Sequence, residues 1–234
     1  MRFEDINWME MESYLKHEDR VMLVTGACEQ HAYLSLLTDI KIPLAIADAV
    51  SQKCGVLVAP PLNYGCSSSF MSFPGTISLK SATIMAVMDD IVLSLYHHGF
   101  RRMLVLNGHG GNRALRSRLS ELTSEIDDLR VVWYEWFLSQ RVGAIVEKAG
   151  LPGEHASWVE SFNFTRTARK VPPGSKPVTP HGAELLSTTR QRKLIGDGNY
   201  GGPYQVDDRI MDEIFNACVS EVLELIEFPD PLKK

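Results

Sequence analysis

Glu29, His31 and Asp39 fall within eleven residues of the stretch "TGACEQHAYLSLLTDI" (25–40), directly after the apolar run "VMLV". A second cluster, "NGHGGN" (107–112), brackets His109 with glycines. Carboxylates and imidazoles together form the mixed oxygen and nitrogen donor set of zinc, manganese or iron(II), and one carboxylate can bridge two ions about 3.5–4 Å apart. Each piece also has an ordinary reading: Asp39 passes for the N-cap of the helix it begins, a lone loop histidine is usually structural, and "NGHGGN" could be an anion-cradling turn. That last reading is weakened because the GxGxxG spacing is missing and no lysine follows as in a P-loop.

These residues need elements to hold them. The runs 20–25, 55–60, 101–107 and 129–136 are apolar, β-branched and bounded by turn signals, as strands buried on both faces should be. Helical spacing appears over 39–53 (Ile40, Leu44, Ala47, Val50), 80–98 (Ile84, Val87, Ile91, Leu95) and 112–126 (Leu115, Leu119, Leu122). A closing helix, "DDRIMDEIFNACVSEVLELIEF", carries Ile210, Ile214, Cys218 and Val222 on one stripe. Alternating strands and helices imply a three-layer α/β/α sandwich with a mostly parallel sheet. In such a sheet ligands collect beyond the carboxyl ends of the strands, and the unusual polar residues fall there. Glu29 and His31, two apart in an extended segment, can point to one side, while Asp39 at a helix start can turn toward the same centre. Glycines around His109 let the backbone bend and expose the imidazole. The Pro- and Gly-rich region 170–206 reads as ordered loops over the sheet edge or as an oligomer contact.

A chain of 234 residues, 44% hydrophobic, is long enough for one large core, so 1–234 is expected to be a single domain. A formal charge of -5 without a basic patch argues against nucleic acid as partner and for a small molecule. The amino terminus lacks a secretory pattern and no apolar run reaches bilayer length, so the expectation is a cytoplasmic protein with no membrane partner. The four cysteines have no CxxC spacing and read as free thiols, with Cys28 near enough to Glu29 to line a site.

Four motifs in register carry a resemblance. "GACEQH" with Asp39 ten residues beyond its Glu, "FPGTISL" (73–79), "NGHGGN" and "EHASWVES" (154–161) resemble the creatininase (creatinine amidohydrolase) family in order and spacing. The resemblance implies an α/β sandwich, a homo-oligomer (a hexamer built from dimers), and a site for two divalent ions, zinc, manganese or iron, that hydrolyses non-peptide C-N bonds of small molecules. It makes Glu29 and His109 ligands of one metal, His31 a ligand of the other, and Asp39 the bridge. Creatininase itself has a Glu where this chain has Gly111; in the branch with "NGHGGN" the Glu closing the "HAGExET" motif takes its place, and it aligns with Glu160. Glu154 is the lesser alternative. His155 corresponds to the acid/base histidine, expected in a loop before a helix that carries Glu160 on its first turns. The implied mechanism is attack by a hydroxide formed between the ions, with His155 protonating the leaving nitrogen.

Departures from the family pattern bear on the substrate. Ser69 and Phe70 replace an acid-histidine pair seen in many relatives, and Trp158 replaces a Glu, so these three are the candidate substrate contacts, with Trp158 placed to stack on a planar molecule. Leu151 and Pro152 stand where creatininase has substrate-contacting aromatic and acidic residues, which points away from creatinine itself. The leading expectation is an amidohydrolase for a small cyclic amide, formamide or lactam. Alternatives are the same metal site acting on a lactone or keto-sugar bond, and a non-catalytic small-molecule or nucleotide-binding protein.

Overall fold

The structure is a computed structural model, described here over residues 1–180 and 186–229. Four parallel strands, β1 (Arg20–Thr25), β2 (Leu57–Val58), β3 (Arg102–Asn107) and β4 (Arg130–Glu135), form a sheet in the order β2-β1-β3-β4. The helices are α1 (Trp8–Leu15), α2 (Thr38–Cys54), α3 (Ser81–His98), α4 (Arg113–Glu125), α5 (Gln140–Ala149), α6 (Thr188–Ile195) and α7 (Asp208–Leu225). A small antiparallel hairpin pairs β5 (Ser175–Lys176) with β6 (Gly202–Pro203).

Alternation along the central strands builds two cores. Met22, Val24, Leu104 and Leu106 pack with Ile42, Ile46, Val142, Ile214 and Val222 of α2, α5 and α7. Val21, Leu23, Met103 and Val105 pack on the other face with Ile84, Met88, Leu115 and Leu119 of α3 and α4. Both faces of β1 and β3 are therefore dry, which is why these strands read as continuous apolar runs. The expected three-layer α/β/α arrangement with a mostly parallel sheet is what the chain forms. Register sets the ends level: Thr25 pairs with Asn107 and Asn107 with Glu135, so the polar turns after β1 and β3 emerge side by side.

Three local expectations need correction. The run 55–60 supplies a ladder of only two residues, because Pro60 and Pro61 lack the N–H groups to extend it, although Ala59 and Leu62 still donate to Met22 and Val24. Glu160 does not lie on a helix. It ends a single 3-10 turn (Trp158–Glu160), where its side chain accepts the Ala156 N–H at 2.6 Å and the Thr165 hydroxyl takes its carbonyl at 2.6 Å. The 170–206 region is not loop throughout: it carries α6 and the hairpin, and its Gly198 and Thr188 accept hydrogen bonds from Gln30 and Ser72; its residues 181–185 lie outside the described ones. Helices α1 and α5 left little trace in the sequence because α1 buries no residue and α5 buries only Val142.

Candidate metal centre

Helix α2 begins hard against the strand ends. A Cβ on Gly26 or on Gly108 would overlap the carbonyl oxygen of Asp39, so glycine at both positions lets the helix start approach β1 and β3. That carbonyl has no helical donor four residues on, since Pro43 lacks an N–H. The contact delivers the Asp39 carboxylate, 2% exposed, between the turns that carry Glu29, His31 and His109.

Asp39 divides its oxygens between two groups. Oδ1 lies 2.9 Å from Nε2 of His31, which is 3.8 Å from Oε2 of Glu160. Oδ2 lies 2.9 Å from Nδ1 of His109, which is 3.5 Å from Oε1 of Glu29. Two donor triads share Asp39, Glu29–Asp39–His109 and His31–Asp39–Glu160, with the donor atoms of each inside 4.8 Å of one another; a third group within the same distance, Glu29–His31–His155, lacks the shared carboxylate. Such sharing is what one carboxylate bridging two ions requires.

Each imidazole is oriented by its other nitrogen. Nδ1 of His31 donates to the Glu29 carbonyl at 3.2 Å, and Nε2 of His109 donates to the Cys66 carbonyl at 3.0 Å. A carbonyl only accepts, so in the neutral rings the lone pairs of His31 Nε2 and His109 Nδ1 face the shared carboxylate. Glu29 Oε2, His31 Nε2 and Asp39 Oδ2 are all buried without a hydrogen bond. Orphaned donor atoms converging at this spacing fit a pair of divalent cations.

The surrounding charges give the two imidazole donors a high affinity for protons, with which a cation would compete. Burial disfavours the His31 cation, but Asp39 and Glu160 outweigh it and hold its pKa up at about 10. His109 is raised to about 9 in the same way, with burial overcome by Glu29 and Asp39. Burial, with Asp39 adding to it, lifts Glu29 to about 7, and burial raises Glu160. Asp39 is buried too, yet His31 and His109 hold it well below the usual carboxylate range.

Two cavities meet at this floor. One of about 500 Å³ is bordered by Glu29, Ser69, Phe70, His155 and Tyr200, and one of about 260 Å³ by Asp39, Phe137, Glu154, His155 and Glu160. His155 borders both, with its Nε2 4.0 Å from Glu29 Oε1 and its side chain 22% exposed. Burial first, then the neighbouring His31, push its pKa down, so the ring is neutral.

The structure thus brings Glu29, His31, Asp39, His109, His155 and Glu160 together. Ser69 and Phe70 lie on the larger cavity, Phe70 stacked on His155 at 4.9 Å and 10°. Trp158 is a correction: it is fully buried among core residues with Nε1 donating to the Pro152 carbonyl at 2.8 Å, so it offers no face to a substrate. Glu154 joins neither triad. All four cysteines are free, and Cys66 rather than Cys28 borders the larger cavity; the Cys28 thiol turns to the Gly75 carbonyl. Sequence reasoning missed Gln30, Asn107, Asn112 and Tyr200. The two asparagines had a signal, as they bracket "GHGG": Asn107 donates to the His109 carbonyl and Glu135, and Asn112 ties that turn to Gly26 and Cys66.

Comparison with known proteins bears on this geometry. The creatininase family model, described as creatinine amidohydrolase, matches residues 4–226. Creatinine amidohydrolase of Pseudomonas putida is 38% identical over 115 residues, 46% of this chain and 44% of that protein. The mycofactocin precursor peptide peptidase of Mycolicibacterium smegmatis is 35% identical over 99 residues, 39% of this chain and 40% of that one. A 3-dehydro-scyllo-inosose hydrolase of Thermotoga maritima is 26% identical over 110 residues, 46% and 35% of the two chains. Each alignment spans less than half of the relative's own length. Among solved structures, a creatinine amidohydrolase (creatininase) superposes with a TM-score of 0.82 at 25% identity, covering 98% of both chains. Creatininases in manganese and zinc–zinc forms share the fold at TM-score 0.78 and 24% identity, covering 98% of this chain.

Proposed function

This chain belongs to the creatininase family, a family of hydrolases, and on that premise we propose that it is a metal-dependent amidohydrolase cleaving a C-N bond of a small cyclic amide, formamide or lactam. The observation that carries the reading is the Asp39 carboxylate, which turns one oxygen to each of two buried donor groups.

Glu29 and His109 would hold one divalent ion, His31 and Glu160 the other, and Asp39 both. Zinc or manganese held there would supply Lewis acidity, lowering the pKa of water toward about 7 and drawing charge from a carbonyl oxygen. The protein's own part is orientation and proton transfer. Carbonyl acceptors behind His31 and His109 keep their rings in the ligating tautomer. His155, neutral and bordering both cavities, is placed to carry a proton between the attacking water and the leaving nitrogen. Phe70 on its face, with Ser69 beside it, forms the substrate wall that replaces the charged pair of many relatives. In this reading residues 1–234 act as one domain, assembled as a homo-oligomer, on a small-molecule substrate other than creatinine.

A second reading keeps the centre and changes the bond, to a lactone or keto-sugar; the Thermotoga relative is named for an inosose substrate. Elemental analysis of wild type and Asp39→Ala, with a hydrolysis screen of lactams, formamides, lactones, inososes and a short peptide, tests both. Two ions per chain lost in the variant, with turnover of an amide, is the expected result. A folded wild type that takes up no zinc or manganese would refute the proposal.

A further inference from the structure

Gln30 stands in sequence between two of the proposed ligands, yet its side chain turns away from both toward His155. The residue is 5% exposed and its amide is fully engaged. Oε1 accepts the N–H of Ala32 at 3.1 Å, while Nε2 lies 3.2 Å from the carbonyl oxygen of Gly198 and 3.0 Å from Nε2 of His155. A backbone N–H can only donate and a carbonyl can only accept. Turning the amide over would set oxygen against oxygen at Gly198 and N–H against N–H at Ala32, so the two main-chain groups fix which end faces His155. That end is the NH2 donor. His155 Nε2 must therefore accept, and in the neutral ring the proton resides on Nδ1.

The support extends to the loop above. Gly198 has φ +104°, and a Cβ there would overlap Gln30 Oε1, so this loop can close on Gln30 only with glycine. Two residues on, the Tyr200 N–H donates to the His155 carbonyl at 3.0 Å, and Phe70 covers one face of the ring. Each contact holds His155 from a different element.

We propose that Gln30, locked by Gly198 and Ala32, is a positioning residue that fixes His155 in the Nδ1–H tautomer by donating to its Nε2 lone pair, at a nitrogen 4.0 Å from Glu29 Oε1. Resting on the hydrolase reading above, the consequence is an order of events. His155 begins as the proton acceptor once the Gln30 hydrogen bond opens: the Gln30 N–H leaves the Nε2 lone pair, a water O–H proton passes to Nε2 as the water oxygen bonds to the substrate carbon, and the same proton passes from Nε2 to the nitrogen as the C-N bond breaks, after which Gln30 donates to Nε2 again. A ring held in the opposite tautomer would have to begin as the acid.

The test needs no substrate. Protein labelled with 15N-histidine, metal-free and zinc-loaded, is recorded by long-range 1H–15N correlation, with the His155 signals assigned from their loss in His155→Gln. The expected pattern is a protonated Nδ1 and an unprotonated Nε2; a protonated Nε2 in the neutral ring overturns the proposal. Gly198→Ala and Gln30→Leu should each convert the single tautomer to a mixture, with zinc content within about 10% of wild type and, on any substrate found, a kcat loss of tenfold or more at unchanged KM. Either variant, folded and still showing the pure Nδ1–H form, also overturns it. Zinc content reads the metal proposal separately, because the tautomer is visible with or without bound zinc.

Discussion

Nε2 of His31 lies 2.9 Å from Oδ1 of Asp39 and still makes no hydrogen bond. The second oxygen of the same carboxylate repeats the relationship with His109 Nδ1 at 2.9 Å. Donor atoms that face one another across a buried gap without hydrogen-bonding fit a cation between them, so metal should be a large part of this protein's stability. A ligand at 100 times its Kd adds about 2.7 kcal/mol. Chelation should therefore lower Tm by roughly 5–10 °C for a chain of this size, restored by zinc or manganese in differential scanning calorimetry.

The proton affinities of the cluster give that loss a pH dependence. In the metal-free chain His31 and His109 are raised to about 10 and about 9, so the stability they contribute is present below the unfolded value near 6.5 and is lost as pH rises through 9 to 10. Metal competes with those same protons and is held more tightly as pH rises. The Tm gap between loaded and stripped protein should widen from pH 7 to pH 9, by about 1.4 kcal/mol per displaced proton per pH unit. Calorimetric titration with zinc in buffers of different ionisation enthalpy should show proton release. A gap that narrows with pH would contradict the assignment of these imidazoles as ligands.

Glu160 and His155 should separate when mutated. Glu160→Gln should leave about one ion per chain, since Glu29, His109 and Asp39 remain, whereas His155→Gln should keep both and reduce kcat by about 10²–10⁴. Elemental analysis alongside turnover distinguishes the two.

The glycines under Asp39 should be intolerant of a single methyl group. Gly108→Ala would force the α2 start away from the sheet, and the expected result is a loss of about 2–4 kcal/mol together with the metal. Gly110→Ala serves as the control, because no atom stands within 4 Å of its added Cβ. Urea unfolding of the pair, read with metal content, measures the difference.

Trp158 and Phe70 should respond differently to truncation. Trp158→Phe removes a buried hydrogen bond to Pro152 and core volume, so it should cost about 1–3 kcal/mol of stability and leave KM unchanged. Phe70→Leu unstacks His155 and reshapes the cavity wall, so kcat and KM should move with little change in Tm. A shifted KM for Trp158→Phe would return that residue to the substrate wall.

Much of this was legible from residue types and spacing, for identifiable reasons. β1 and β3 are dry on both faces, and their apolar runs say so. Glu29, His31, Asp39 and His109 are close to strand ends, where topology converges whatever the loop details. Glu160 was recognisable as a residue but not as a conformation: the motif placed it on a helix, whereas here it ends one 3-10 turn with its carboxylate accepting the Ala156 N–H. Trp158 was misread because exposure depends on which wall the turn presents: its Nε1 bonds back to the Pro152 carbonyl and its ring joins a core cluster drawn from α2, α5 and α7. Gln30 was invisible for a related reason, since its partners come from 125 and 168 residues away.

The close approach of Asp39 to Gly26 and Gly108 divides what this scaffold can change from what it must keep. Glu29, His31, Asp39 and His109 ride on strand ends and a helix start pressed together by main chain, while Ser69, Phe70 and Tyr200 come from separate loops. Mutation can rebuild those loops without altering the spacing of the donors beneath them. On the proposed reading, hydrolytic chemistry is the inherited part and substrate choice the adaptable one, which suits a family whose members are named for molecules as unlike as creatinine, a peptide and an inosose.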